Sequence, residues 1–213
     1  MTGRNEWTYR VRRVVSAVVM AALATGCHRA AIPSSPVSSV HAATASSTVL
    51  PFAGAPKVPS PLPEPALPGD PCEALTPPQV KDALGDKVNA KRHDIPGIGR
   101  SCYLSVDSGA AVAVTLDTQS RRGLSGLYAN VKPKAEVWKV LPAIHGFPAV
   151  ASVTPSGGAP DRYCSISVGL LDTATVDVGL FLGESKIGKA DPCVPAARAA
   201  DAVVITLVRN AGQ

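Results

Sequence analysis

The sequence predicts an α+β domain: an antiparallel sheet packed with a C-terminal helix and a short N-terminal helix, held by two disulfides. Three observations carry this. Strand-length runs with period-two alternation recur in pairs around short turns. The run from Cys193 to about Arg209 places Ala196, Ala200, Val203, Val204 and Leu207 at helical spacing on one face. Beyond residue 27 four cysteines remain, Cys72, Cys102, Cys164 and Cys193. In an exported domain an even count reads as two disulfides.

Export is argued from the first residues. Arg4, Arg10, Arg12 and Arg13 form a basic head, and Val14 to Ala22 is apolar except for Ser16. The apolar span is about a dozen residues, short of the about 20 a membrane-crossing helix needs. A charged head, a short apolar span and a small-residue end make a secretory signal, expected over residues 1–26. The segment Leu23-Ala24-Thr25-Gly26-Cys27 resembles a bacterial lipobox. That resemblance implies that Cys27 is lipidated (palmitate) and becomes the new N-terminus, tethered to the cell membrane on its extracytoplasmic face. Arg12-Arg13 is followed by Val14, Val15 and Ser16, a poor match to twin-arginine export.

Residues 28–69 read as a linker, so that lipidated Cys27 and the Pro-rich segment together span 27–69. Nine of these 42 linker residues are Pro, ending in Pro56, Pro59, Pro61, Pro63, Pro65 and Pro68. Such a chain is expected to be extended polyproline II rather than core, with a reach of up to roughly 130 Å at about 3.1 Å per residue. Residues 70–213 are expected to be the folded domain, of a size suited to one hydrophobic core.

Within it, Asp70-Pro71-Cys72 suits a helix start, because Asp accepts from free backbone N–H groups and Pro has none to lose. Thr76 to Gln79 matches a capping box before a short helix through Val80, Ala83 and Leu84, with Gly85 placed to end it. Ser101–Val106 and Ala110–Asp117 read as a hairpin around Asp107-Ser108-Gly109. Residues 121–135, rich in Gly and polar groups, read as a long loop with at most one helical turn. Glu136–Leu141 and Phe147–Val153 read as strands around 142–146, and Thr154–Asp161 as a turn region. Tyr163–Leu170 and Thr175–Leu182 form the best hairpin. Ile166, Val168 and Leu170 alternate with Ser165, Ser167 and Gly169 in its first strand. Asp191-Pro192-Cys193 repeats the opening motif before the last helix.

Each half thus has one Asp-Pro-Cys and one strand cysteine. Four cysteines allow three pairings, and sequence alone leaves all three open. The simplest use of the echo is one strand-to-helix bridge per half, Cys72–Cys102 and Cys164–Cys193. A zinc site fits poorly, for lack of any C-x-x-C pair.

Composition excludes one class of partner. The chain carries 21 basic and 16 acidic residues, net +5. Four Arg and one Glu lie in residues 1–26, so the remainder is only +2. With 4% aromatic residues, neither an electrostatic footprint nor a stacking platform for nucleic acid is present.

Chemical motifs are sparse. Gly183 to Lys189 follows most of a phosphate-binding loop, but Ala190 stands where Ser or Thr would hold Mg²⁺, and Asp191-Pro192 opposes phosphate. Gly123-Leu124-Ser125-Gly126-Leu127 lacks the last Gly of a nucleophile elbow. His93 and His145 are the only histidines after residue 69. His93-Asp94 is a poor base and orienter because adjacent side chains diverge, and His145 reads as a turn residue. Nothing singles out two carboxylates for sugar hydrolysis among Asp94, Asp107, Asp117, Glu136, Asp161, Asp172, Asp177 and Glu184. Trp138 and Tyr128 suit core packing, or the lining of an apolar or sugar-stacking pocket.

Taken in order, the lipobox, the Pro-rich spacer, the paired Asp-Pro-Cys motifs, Phe147-Pro148-Ala149-Val150 and Cys164-Ser165-Ile166-Ser167-Val168 resemble an actinobacterial family of envelope lipoproteins of unknown function, over about residues 70–210. That resemblance implies a small disulfide-linked α+β domain and lends no catalytic residue. More distantly the chain is similar to extracellular sensor domains of actinobacterial receptor kinases and to small lipoproteins thought to bind apolar molecules. The expected role is a non-catalytic binding or sensor-like domain whose partners are the membrane, through its lipid anchor, and a small molecule, lipid or envelope protein. The alternative is a cell-wall-acting hydrolase or its accessory. No catalytic residue, metal ligand or cofactor is assigned, and the ligand-binding residues are left open.

Overall fold

The structure is a computed structural model that describes residues 49–63 and 70–212. Cys27, the signal over 1–26 and part of the linker lie outside the described residues. Among those described, no helix is long and apolar enough to cross a membrane.

Seven strands form one fully antiparallel sheet: β1 (Asn89–Arg92), β2 (Gly99–Ser105), β3 (Ala111–Asp117), β4 (Val137–Ile144), β5 (Phe147–Val153), β6 (Tyr163–Leu171) and β7 (Ala174–Phe181). Their spatial order is β1-β2-β3-β7-β6-β5-β4. The chain enters at one edge, crosses to the other, and fills inward until β7 closes against β3. Both expected hairpins are present, and the two strands expected around 142–146 pair as a third.

Helices α1 (Pro77–Leu84) and α3 (Cys193–Asn210) cover one face, and α2 (Gly123–Asn130) lies against β6 and β7. On α3, Ala196, Ala199, Ala200, Val203, Val204 and Leu207 are buried. They meet Val112, Val114, Leu116, Ile166, Val168, Val176, Val178 and Leu180 in the main core. Such a surface, apolar on both sides and away from water, is the dominant stabilising term. Gln79 fastens α1 to α3. Its Oε1 accepts from the Thr76 N–H at 2.7 Å and from the Thr206 hydroxyl at 3.0 Å, and its Nε2 donates to the Ala202 carbonyl at 3.0 Å.

The disulfides join Cys72 to Cys102 and Cys164 to Cys193, one per half. The two Asp-Pro-Cys motifs share one local device. The Asp70 carboxylate accepts from the Cys72 N–H at 2.9 Å, and Asp191 accepts from the Cys193 N–H at 2.8 Å. They differ in the element each one starts. Asp191 leads into the eighteen residues of α3, whereas Asp70 leads only into a 3-10 turn, Pro71–Glu73.

Four expectations need correction. The folded part does not begin at residue 70: residues 49–63 pack as a strap, with Val58 and Leu62 buried in the main core. The Phe52, Val58 and Leu62 N–H groups donate to the Ser125 hydroxyl (2.9 Å), the Asp172 carboxylate (2.8 Å) and the Leu170 carbonyl (3.1 Å). Proline restricts the chain before it docks, so little further entropy is lost. Second, residues 123–130, expected to be loop, form α2. Its first residue, Gly123, has φ +49°, and a Cβ there would stand 2.3 Å from the Asp172 carbonyl oxygen. Only glycine permits that close approach. Third, β4 runs on to Ile144, beyond its expected end, and turns through His145 and Gly146, both at positive φ. Finally, β1 falls where no strand is expected. All four of its residues are exposed, so no apolar alternation marks it.

Candidate functional site

The sheet face away from α3 has a different composition. Residues directly opposite in an antiparallel ladder share a face. One row across the sheet is therefore Val150, Ser167, Asp177, Thr115 and Ser101. The row beside it is Trp138, Ser152, Ser165, Gly179, Ala113 and Tyr103. On the other side of the Asp177 row, Gly169, Thr175 and Asp117 stand in line. Hydroxyls, two carboxylates and glycines thus replace the valines and leucines of the opposite face.

Over these rows lies a half-open cavity of ≈ 370 Å³. Its floor includes Asp117, Ser152, Ser165, Ser167 and Asp177, its helix wall Leu127, Asn130 and Val131, and its rim Ile98, Ser120, Arg122 and Thr154. Tyr163 also lines it. The absence of a side chain at Gly179 makes room for the Tyr163 ring, whose hydroxyl lies 3.0 Å from where a Cβ would be.

The two carboxylates are held differently. Asp117, 7% exposed, accepts from the Ser120 N–H at 3.1 Å and the Ser120 hydroxyl at 2.8 Å. Asp177 is half-buried and accepts from the Thr175 hydroxyl at 2.9 Å. Its pKa is pushed up to about 6, first by burial and further by the neighbouring Asp117 carboxylate, against the lowering effect of hydrogen bonds from Ser167 and Thr175. Burial penalises the ionised form, and no cation enters that balance. The Tyr163 phenol is also raised, by burial first and by Asp177, while its bond with Ser165 opposes this. Ser152 is only 5% exposed as a residue, and its side chain lines the cavity, where its hydroxyl makes no hydrogen bond to another described residue.

The structure separates the other candidates. Asp94, Asp107, Glu136 and Asp161 are on loops and Glu184 opens a 3-10 turn; none of them lines the cavity. Asp172 is used by the strap through the Val58 N–H. His93 follows β1 and His145 follows β4, at opposite edges of the sheet. His145 Nε2 stands 2.9 Å from Asp201 Oδ1 of α3, whereas Ser125 is buried in α2 and accepts from the strap. These residues form no triad. Gly183–Lys189 contains an exposed 3-10 turn, and Asp191 occupies the helix start where phosphate would need to sit. Trp138 packs edge-to-face on Tyr128 at 5.0 Å in a second, smaller core with Leu124 and Val150. Its Nε1 is buried without a partner. Among the described residues, no three His, Cys, Asp or Glu side chains gather as a metal site would require.

In the sequence, Asp117 and Asp177 are two of eight unranked carboxylates. The signal that singles them out is a polar position in each strand on the face opposite its valines. Reading it requires the pairing of β3 with β7, which are far apart in sequence.

Fold and site together define a small disulfide-linked α+β domain with a polar, carboxylate-floored cavity on one face of its sheet. The chain belongs to DUF3558, a family of proteins of unknown function, which matches residues 22–206. No match was found among curated proteins or solved structures.

Proposed function

We propose that this chain is a lipid-anchored, extracytoplasmic binding domain of the cell envelope, tethered through Cys27, and that the cavity between α2 and the sheet holds a small molecule. The lipobox-like segment and the two disulfides support the location, and the resemblance to actinobacterial envelope lipoproteins points the same way. The observation that carries the binding role is Ser152, a nearly buried hydroxyl facing the cavity without a partner among the described residues. A hydroxyl that opens on a cavity and makes no bond within the protein is available to a ligand.

Two experiments test this reading. Native mass spectrometry of the full chain from its exporting host is expected to show a bound mass that Ser167→Leu, which fills the floor, removes. A clean apo mass in both proteins would count against the binding role. Palmitate labelling and membrane fractionation are expected to fail for Cys27→Ala.

The pair Asp117 and Asp177 favours a second reading, a cell-wall hydrolase. A carboxyl group raised to about 6 beside another carboxylate suits a general acid. Digestion of purified peptidoglycan separates the two: fragments released by the native chain but not by Asp177→Asn would establish the hydrolase.

A further inference from the structure

The cavity's own chemistry narrows its ligand, given the binding role proposed above. We propose that it takes a small organic cation, a primary ammonium group on a short aliphatic body, with the ammonium seated on the Asp177 carboxylate.

The floor is rich in acceptors. An ionised carboxylate has about four lone-pair sites, and Asp177 accepts two side-chain bonds, from Thr175 and Ser167. Two sites stay open. Arg122, the cation among the residues that line the cavity, is exposed at the rim, with its stem laid along Gly126. Burial and Asp117 both disfavour the charge on Asp177, and an incoming cation relieves both effects at once. An anion would meet two carboxylates and is repelled.

The hydroxyls agree. An ammonium has three donors and no acceptor. Asp177 takes one. Ser152 and Ser165 face each other across the β5–β6 pair, one row from Ser167 and Asp177. The Ser152 hydroxyl has a free lone pair to offer, since no described residue bonds to it. A hard divalent ion would require more oxygen ligands of full charge. Leu127 of α2, Val131 just past its end and Ile98 form the apolar part of the enclosure, against which an aliphatic stem loses its contact with water.

The test is calorimetric titration of the full chain at neutral pH with 1,4-diaminobutane, and in parallel with 1,4-butanediol, its uncharged analogue. Saturable binding of the diamine and none of the diol is expected. Asp177→Asn, a nearly isosteric change, is expected to weaken the diamine by about tenfold or more, the value of one charge-assisted bond. Ser152→Ala is expected to weaken it by only a few-fold. Equal binding of diol and diamine, or no binding of the diamine, overturns the cationic assignment, and neither comparison needs a variant. Undiminished diamine binding by a folded Asp177→Asn protein overturns it as well. In each of these cases a bound mass removed by Ser167→Leu would leave the cavity a ligand site of other chemistry. Its absence would end the binding role too.

Discussion

The two faces of the sheet are built by the same strands and differ in almost every other respect. Under α3 stand Val114, Val176, Val178, Ile166 and Val168, all fully buried. One residue along each strand, the other face presents Thr115, Asp177, Ser167 and Thr175. The apolar face is roofed by eighteen residues of α3, whereas α2 has only eight and leaves a cavity beside it. Both disulfides enter from the first side: Cys102 pairs across from Val114, and Cys164 from Leu180. The contrast is between a face that holds the fold and a face that is free to carry chemistry.

Substitutions at adjacent residues are the sharpest way to break this contrast. Val178→Asp places an unpaired carboxylate beneath α3 and is expected to prevent folding, as judged by loss of the cooperative urea transition. Asp177→Val, one residue earlier, is expected to fold. A variant at 178 that unfolds cooperatively would mean that the core tolerates charge, and the comparison fails.

The bridges come next in size. Converting Cys164 and Cys193 together to Ser is expected to cost about 3–4 kcal/mol on the chain-entropy model. The same change at Cys72 and Cys102 should match it, since the separations are 29 and 30 residues. Urea midpoints compare the two, and a large inequality would show that one bridge acts on the folded state rather than on the unfolded chain.

Acidity sharpens the comparison from the polar side. The pKa of Asp177 is raised to about 6 in the fold, from 3.8 ordinarily. A raised carboxylate disfavours the folded state once it ionises. The penalty is absent below about pH 4, grows toward pH 6 and is complete above it, so stability falls with rising pH across that window by up to about 3 kcal/mol. Urea midpoints at both ends should show a slope that Asp177→Asn flattens. An unchanged slope would place its origin elsewhere.

The smallest effect concerns the pair His145 and Asp201, which joins the β4–β5 turn to α3 with side chains 40% and 54% exposed. Asp201→Asn is expected to change stability by less than about 1 kcal/mol. A larger loss would mean that the cover of the apolar face depends on its surface pairs as well as on burial.

Much of the architecture is legible in the sequence because its signals are local. Alternation in β6 and β7, the helical spacing of Ala196 to Leu207 and the Asp-Pro-Cys starts each lie within a few residues of one another. Elements without such a signal are not legible. β1 is exposed on every residue, and α2 begins on a glycine whose conformation is set by a carbonyl of the β6–β7 turn. The strap reads as spacer because prolines obscure the burial of Val58 and Leu62, which depends on partners more than 100 residues away. The candidate site is legible only as an unranked set of carboxylates and serines.

By itself, the sequence determined the fold class, the hairpins, both helices that bound the apolar face, and the even set of cysteines. Their causes are periodicity, capping and covalent chemistry, which act over short stretches of chain. Tertiary structure alone decided that residues 49–63 pack onto the domain, that residues 123–130 are helical, and that Asp117, Asp177 and Ser152 share a cavity. Those depend on which strand lies beside which, and that order is set by burying the apolar face as a whole rather than by any one strand.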